Sequence, residues 1–167
     1  MTAQHVARCA CGKVELELSG APLISLVCHC DDCQAGSAMI EALPGGPRIL
    51  DAGRGTPHVL YRNDRVLCTK GTELLQGYTL KPDSTTHRMV ASCCNSPMLV
   101  RLPPVLHWTP IYRDRIALPA PPLEMRIQTR FLPAGIALPA DLPAVSGTPL
   151  TFVVRMVAAK LAMLLGR

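Results

Sequence analysis

Short stretches in which apolar and polar residues alternate dominate the first hundred residues of this chain. The clearest is residues 14–18, where three aliphatic side chains point to one face and two glutamates to the other, as in a strand that is buried on one side. Turn-forming residues such as Gly45-Gly46-Pro47 separate similar runs. We predict strands over residues 14–18, 23–27, 39–43, 58–61, 74–80, 87–91 and 98–102. The pattern favours a mainly β domain over residues 1–102.

Proline dominates the next segment of the chain. Ten of the 16 prolines lie between residues 103 and 149. Because proline fixes φ and removes a backbone donor, regular elements in this segment must be short. We expect residues 103–147 to form an extended arm that wraps the first domain, with Trp108 as an anchor. Residues 123–132 are its best candidate for an edge strand.

The last segment, residues 148–167, is predicted to be a helix. Thr148 can cap it, Pro149 suits its first position, and no further proline or glycine occurs before Gly166. At 100° per residue the segment is apolar nearly all round, and about fifteen residues with two internal charges are too short to span a bilayer. We expect it to dock on its own domain, on a partner or second copy, or on a membrane surface. The widest apolar face holds Val153, Val154, Val157, Ala158, Leu161, Leu164 and Leu165, with Phe152, Met156 and Met163 on the other side.

Length and charge narrow the function classes. With 167 residues the chain has room for one domain with appendages. The net charge of +5 comes mostly from the part after residue 102, which has seven Lys and Arg against three Asp and Glu. No basic stripe with interleaved aromatic residues occurs, which argues against nucleic-acid binding. The start of the chain lacks the apolar run of a secretory signal, so we expect a cytoplasmic protein whose thiols stay reduced.

The eight cysteines are the candidate chemistry, and all lie between Cys9 and Cys94. In a reducing compartment, clustered thiols of this kind indicate metal binding rather than disulfides. A closed structural zinc site needs four protein ligands, whereas a catalytic site has three and an open position. The three cysteines within residues 28–33 therefore suggest an open site. The cysteines near residue 10 and the late cysteine pair suggest a closed site. The open site would comprise Cys28, Cys30 and Cys33, and the closed site Cys9, Cys11, Cys94 and one further ligand.

Other polar residues near these clusters have simpler interpretations. His29 lies between two candidate ligands, so its side chain would project away from the metal as a supporting or surface group. Asp31 and Asp32 are typical of a solvated turn. His5, His58 and His107 have no partners that are visible in the sequence.

These motifs resemble those of the glutathione-dependent formaldehyde-activating enzyme family, which also includes centromere-protein-V-like proteins. The matching motifs are Cys-x-Cys-Gly-x-Val at residues 9–14, Cys-His-Cys-x-x-Cys at residues 28–33 followed by Gly36 and Ser37, and a late cysteine before Ser96-Pro97-Met98. The resemblance covers roughly residues 7–102. It implies a small zinc-stapled β fold with a structural zinc at Cys9, Cys11 and Cys94, and a second zinc site, catalytic or substrate-facing, at Cys28, Cys30 and Cys33.

The activity that the resemblance implies is that of a carbon-sulfur lyase, with glutathione and formaldehyde as partners. A three-thiolate zinc with an open position suits the addition of a small aldehyde to a thiol. The alternative is a non-catalytic zinc-stapled binding module that its C-terminal helix docks to a partner or to a membrane surface. The sequence leaves open whether the chain is an enzyme.

The late cysteine motif departs from the family pattern. The family has Phe-Cys-x-x-Cys-Gly, whereas residues 90–95 here read Val-Ala-Ser-Cys-Cys-Asn, so the first cysteine is missing. Cys93 is the most economical replacement because it shares one tight turn with Cys94. Cys68 and His87 remain as alternatives for the fourth ligand of the structural zinc.

Overall fold

The structure, a computed structural model, describes residues 4–166. Within these residues the chain forms ten strands and two α-helices. The strands are β1 (Gln4–Arg8), β2 (Glu15–Ser19), β3 (Ile24–Cys28), β4 (Thr56–Arg62), β5 (Val66–Lys70), β6 (Leu75–Tyr78), β7 (His87–Ala91), β8 (Ser96–Arg101), β9 (Trp108–Tyr112) and β10 (Met125–Ile127). The helices are α1 (Asp31–Glu41) and α2 (Leu150–Leu164).

The strands of this region form a larger and a smaller sheet. The larger sheet has the order β10-β3-β4-β9-β8-β7-β6, and the smaller sheet has the order β1-β2-β5. Neighbouring strands are antiparallel except for β10, which pairs in parallel with β3 at the edge of the larger sheet. The candidate edge strand within residues 123–132 is present as β10. β9 also comes from the proline-rich segment, yet it lies inside the sheet between β4 and β8.

The larger sheet is the middle layer of the fold. The alternation in β2 buries Leu16 and Leu18 completely, and these side chains pack with Val59, Tyr61 and Ile111 of the larger sheet. The two helices cover the opposite face. All five residues of β3 are buried, because Ile24 and Leu26 pack with Met156 of α2 and Ser25 bonds to Pro121 and Glu124 of the segment before β10.

One predicted strand is wrong. Residues 39–43 were expected to be extended, but most of them belong to the end of α1. The helix begins after an extended Cys30, with Asp31 and Asp32 in its first turn, where carboxylates are favourable beside free backbone N–H groups. Its buried residues are Gly36, Ser37 and Ile40, a helical spacing that the short apolar run at residues 39–43 concealed.

The sequence pattern also missed β1, β5 and β9. β5 reads Val-Leu-Cys-Thr-Lys, so no alternation of apolar and polar residues marks it in the sequence. β9 contains Pro110, which argues against a strand in the middle of a sheet. The prediction of a mainly β fold with a C-terminal helix is confirmed.

The C-terminal helix begins after Pro149 and buries Met156 and Ala159. Phe152 packs edge-to-face on Trp108 of β9, with 6.0 Å between the ring centroids. Within residues 4–166 the structure has no helix that is long and apolar enough to cross a membrane.

Candidate metal centres

The first candidate centre joins two turns that are distant in the chain. Cys9 and Cys11 follow β1, and Cys93 and Cys94 lie in the turn between β7 and β8. The left-handed backbone at Gly12 (φ 72°) and Asn95 (φ 51°) closes the two turns. The four Sγ atoms lie within 4.8 Å of one another.

The spacing of these sulfur atoms fits a tetrahedral zinc ion. Four sulfurs at about 2.3 Å from a zinc ion are about 3.8 Å apart. The distances from Cys9 Sγ are 3.6 Å to Cys11 and 3.9 Å to Cys93. Cys93 Sγ lies 3.3 Å from Cys11 and 3.9 Å from Cys94. These four cysteines could therefore hold a metal ion as a closed set of ligands.

The three candidates for the fourth position in this centre lie in different places. Cys93 is within the cluster. Cys68 lies on β5, where its thiol donates to the carbonyl of Lys70. His87 starts β7 and lies against Gly77. Among residues 4–166, neither Cys68 nor His87 belongs to a group of potential metal ligands.

Hydrogen bonds to the sulfur atoms of the first centre favour the thiolate form of one of its cysteines. The backbone N–H of Val14 donates to Cys9 Sγ at 3.2 Å. Burial alone would raise the pKa of Cys94, but hydrogen bonds from Ser96 and from the backbone of Cys11 lower it to about 6. Burial and the neighbouring thiols raise the pKa of Cys93 to about 12. The cluster therefore stabilises a thiolate at Cys94 before any metal binds.

The second candidate centre lies where β3 leads into α1. Cys28 ends the strand, Cys30 caps the helix in an extended conformation, and Cys33 lies in its first turn. Their Sγ atoms lie within 4.8 Å of one another, and Cys28 and Cys30 are 3.4 Å apart. This group supplies three ligands, one fewer than the first centre.

One negative charge concentrates on Cys30. Hydrogen bonds from Cys28 and Cys33 lower the pKa of the Cys30 thiol to about 2. Donating to Cys30 in turn raises the pKa of Cys28 to about 12. Hydrogen bonds to Cys28 and to Cys30, together with burial, raise the pKa of Cys33. Cys30 is thus the thiolate of the cluster, with the other two thiols as its donors.

A pocket of about 500 Å³ opens directly on this second centre. Cys30 and Cys33 form part of its wall, and Arg88, Lys81 and Tyr112 line it from the strands and the loop opposite. Its volume is within the range of small-molecule sites. Three further pockets among the described residues are lined by other side chains and not by Cys9, Cys11, Cys93 or Cys94.

Arg88 is a functional candidate that the sequence analysis missed. It lies on β7, is 5% exposed, and donates a hydrogen bond to the backbone carbonyl of Asp32. Its guanidinium group packs so closely on α1 that a Cβ at Gly36 would lie 1.7 Å from Nε. Among residues 4–166 it forms no ion pair with a carboxylate. Its contact with Gly36 joins β7 to α1, and no pattern in the sequence indicates that these two residues meet.

Two buried histidines flank the second centre. His29 is fully buried, and its Nδ1 is 3.1 Å from the carbonyl oxygen of Gly53. His58 on β4 packs edge-to-face on Tyr112, and burial lowers its pKa to about 4. The Nε2 atom of each has no hydrogen-bond partner among the described residues. The sequence analysis found no partner for His58, and its place behind the pocket wall is visible only in the fold.

One protein-family model matches part of the chain. The model of the glutathione-dependent formaldehyde-activating enzyme family matches residues 4–44. This match includes Cys9, Cys11, Cys28, Cys30 and Cys33 but not the late cysteine pair. A crystal structure of a Rhodobacter sphaeroides protein is similar over 83% of this chain and 98% of its own, with 14% identity and a TM-score of 0.47. No curated protein matches the chain.

Proposed function

We propose that this protein is a zinc-dependent carbon-sulfur lyase that adds a small aldehyde to a thiol such as glutathione, and removes it again. The observation that carries the proposal is the difference between the two cysteine clusters. One has four sulfurs at zinc spacing, whereas the other has three sulfurs and faces a pocket of about 500 Å³. The family match over residues 4–44 supports the same activity.

Each cluster has a separate role in this proposal. Cys9, Cys11, Cys93 and Cys94 hold a structural zinc that joins the start of the chain to the β7–β8 turn. Cys28, Cys30 and Cys33 hold the zinc of the reaction site. A zinc ion bound there supplies a Lewis acid for a carbonyl oxygen, or a partner that keeps an incoming thiol in its thiolate form.

The reaction makes one bond between sulfur and carbon. The sulfur of the thiol attacks the aldehyde carbon while the C=O π bond breaks, and the thiol proton ends on the new hydroxyl oxygen. No oxidant is consumed. The protein must therefore bind the two reactants next to each other and accept or return a single proton.

The pocket lining contains two cations, Arg88 and Lys81, and two carboxylates, Asp32 and Asp83. Arg88 lines the pocket and forms no ion pair with a carboxylate in the described chain, so its charge is available to a ligand; Lys81 lines the pocket as well. A guanidinium group binds a carboxylate in a fixed two-point geometry. We assign Arg88 to the carboxylate of the thiol, which places the sulfur toward Cys30.

The experiment is a direct measurement of adduct exchange. Zinc-loaded protein is mixed with glutathione and formaldehyde, and the exchange between free and adducted thiol is followed by NMR against a buffer blank. We expect acceleration by the wild type and by Cys68→Ser, and none by Cys30→Ser. Circular dichroism and the zinc content of the first centre show whether the Cys30→Ser protein is still folded. A wild type that accelerates no combination of several thiols and aldehydes would overturn the proposal.

A further inference from the structure

Helix α2 has two apolar faces, and its own domain covers only one of them. Met156 and Ala159 are buried against the domain, and Phe152, one turn before Met156, packs on Trp108. On the opposite side the large aliphatic side chains are 46–76% exposed. They are Leu150, Val153, Val154, Val157, Leu161, Leu164 and Leu165, which we call the outer face of α2.

Polar contacts fix the orientation of the helix, so that the outer face is held toward solvent. Arg155 pairs with Glu124 at 2.7 Å and also donates to the carbonyl of Leu23 at 3.2 Å. The ring of His107 donates from Nε2 to the carbonyl of Met156 at 2.7 Å. A helix without such anchors could roll and bury its wider apolar face instead. Here the contacts prevent this rotation.

The outer face is large for a surface that stays in water. Its seven residues are each 46–76% exposed, which together amounts to on the order of 700 Å² of accessible surface, against roughly 300–600 Å² for the largest apolar patch on a typical monomer. A stable dimer buries about 800 Å² on each partner. A second copy of the same face would therefore cover it with an interface of ordinary size.

The spacing of the outer face is that of a helix-pairing seam. Leu150, Val154, Val157, Leu161 and Leu164 follow one another at intervals of four, three, four and three residues. This is the alternation with which two helices interdigitate their side chains. No charged residue lies in the seam. α2 also contains no acidic residue, so nothing in the helix calls for a basic partner.

A groove beside the seam offers room for side chains of the opposite helix. It has a volume of about 410 Å³ and runs between α2 and the loop before β9. Val105 lies on its far wall and is 82% exposed. The groove widens the apolar surface beyond one helix, as an interface between two globular copies requires.

A membrane surface fits this face less well than a second copy does. Helices that lie on membranes carry many Lys and Arg on the polar side and place Trp or Phe in the lipid. Here the outer face is purely aliphatic, because Phe152 and Trp108 pack on each other within the groove. One of the two cations of α2, Arg155, is already paired with Glu124. We propose that α2 is a dimerisation helix whose outer face packs on the same face of a second copy across a two-fold axis.

The test measures the mass of the full-length, zinc-loaded protein in solution by sedimentation equilibrium. We expect a dimer for the wild type. Val157→Asp and Leu161→Asp each place a charge in the centre of the seam, and we expect the dimer dissociation constant to rise at least 100-fold. Leu67→Asp is the matched control, because Leu67 is 62% exposed on β5 and lies outside α2.

The outcomes separate this inference from its competitors and from the proposed function. A wild type that stays monomeric at all concentrations overturns it, and so does a dimer that survives both α2 substitutions. Wild-type monomers that sediment with vesicles of phosphatidylglycerol and phosphatidylcholine would assign the outer face to a membrane instead. Adduct exchange is measured on the same samples, so that a loss of activity and a loss of dimer are read independently.

Discussion

The Sγ atoms of Cys11 and Cys93 lie 3.3 Å apart although 82 positions separate the two residues in the chain. This contact connects the turn after β1 to the turn between β7 and β8. The segment between the two cysteines contains most of the strands of the β domain. The other members of the cluster lie at similar distances. A metal ion at this point would hold the two sheets together, because β1 belongs to the smaller sheet and β7 and β8 to the larger.

The first prediction concerns Cys93. We expect Cys93→Ser to lose about one zinc ion per chain, because a structural zinc needs four protein ligands. The folded state should also unfold at a temperature lower by more than about 5 °C, since metal binding at such a site is coupled to folding. Metal analysis and thermal unfolding provide the two measurements.

Cys68→Ser is the matched control for this prediction. Cys68 is a partly exposed cysteine of the same domain, but its thiol lies outside both clusters. Its zinc content and unfolding temperature should equal those of the wild type. A Cys68→Ser variant that loses zinc, with Cys93→Ser intact, would show that Cys68 is the fourth ligand.

The second prediction concerns the contact between Gly36 and Arg88. Replacing a helical glycine by alanine ordinarily stabilises a protein by about 0.5–1 kcal/mol. At Gly36 the new Cβ would lie 1.7 Å from Arg88 Nε, so the guanidinium group must move and lose its hydrogen bond to Asp32. We expect Gly36→Ala to lower the free energy of unfolding by about 1 kcal/mol, measured by urea denaturation.

Gly147→Ala provides the comparison for that steric argument. A Cβ at Gly147 would have its nearest neighbour, Arg130 Nη1, at 3.9 Å, which is an ordinary contact. This variant should be as stable as the wild type or slightly more so. If Gly36→Ala is also neutral or stabilised, the close packing of Arg88 on α1 is not present in solution.

The third prediction tests the charge of the pocket. Arg88→Met keeps a long side chain but removes the cation, so the KM for glutathione should rise about tenfold or more, as for the loss of a charge-assisted hydrogen bond. With 2-mercaptoethanol, which has no carboxylate, KM should change much less. Arg88→Lys keeps the positive charge and should recover part of the loss. Equal effects on both thiols would contradict a role in binding a carboxylate.

The fourth prediction is a dependence of stability on pH. Burial lowers the pKa of His58 to about 4, whereas a histidine of an unfolded chain titrates near about 6.5. Between these values the unfolded state binds more protons than the folded state. The free energy of unfolding should therefore fall as the pH drops from about 6.5 to 4, by at most about 1.4 kcal/mol per pH unit from this residue.

His58→Phe isolates that contribution. Phenylalanine keeps an aromatic ring against Tyr112 but takes up no proton. Protonation of groups that do not interact with His58 affects both proteins and cancels in the difference between wild type and variant, whereas the electrostatic interaction of His58 with Cys30 stays part of that difference. The free energy of unfolding of the wild type minus that of the variant, taken from urea denaturation at several pH values, should fall steadily toward low pH. A difference that stays constant from pH 7 to pH 4 would contradict the prediction.

The sequence by itself determined the local part of this protein. The alternation in residues 14–18 is enough to identify a strand that buries Leu16 and Leu18, because side chains in a strand point to opposite faces in turn. Cys28, Cys30 and Cys33 are close in the chain, so any tight turn brings their sulfurs together. The helix at the end of the chain follows from Pro149 and from the absence of a breaker before Gly166.

The tertiary structure decided everything that depends on distant residues. It brought Cys93 rather than Cys68 to Cys9 and Cys11, placed Arg88 on Gly36, and selected which side of α2 is covered. It also made residues 39–41 the end of a helix, since α1 has to cover the larger sheet next to the second centre. These outcomes rest on contacts across many tens of residues, which depend on how the sheets pack and not on any local preference of the chain.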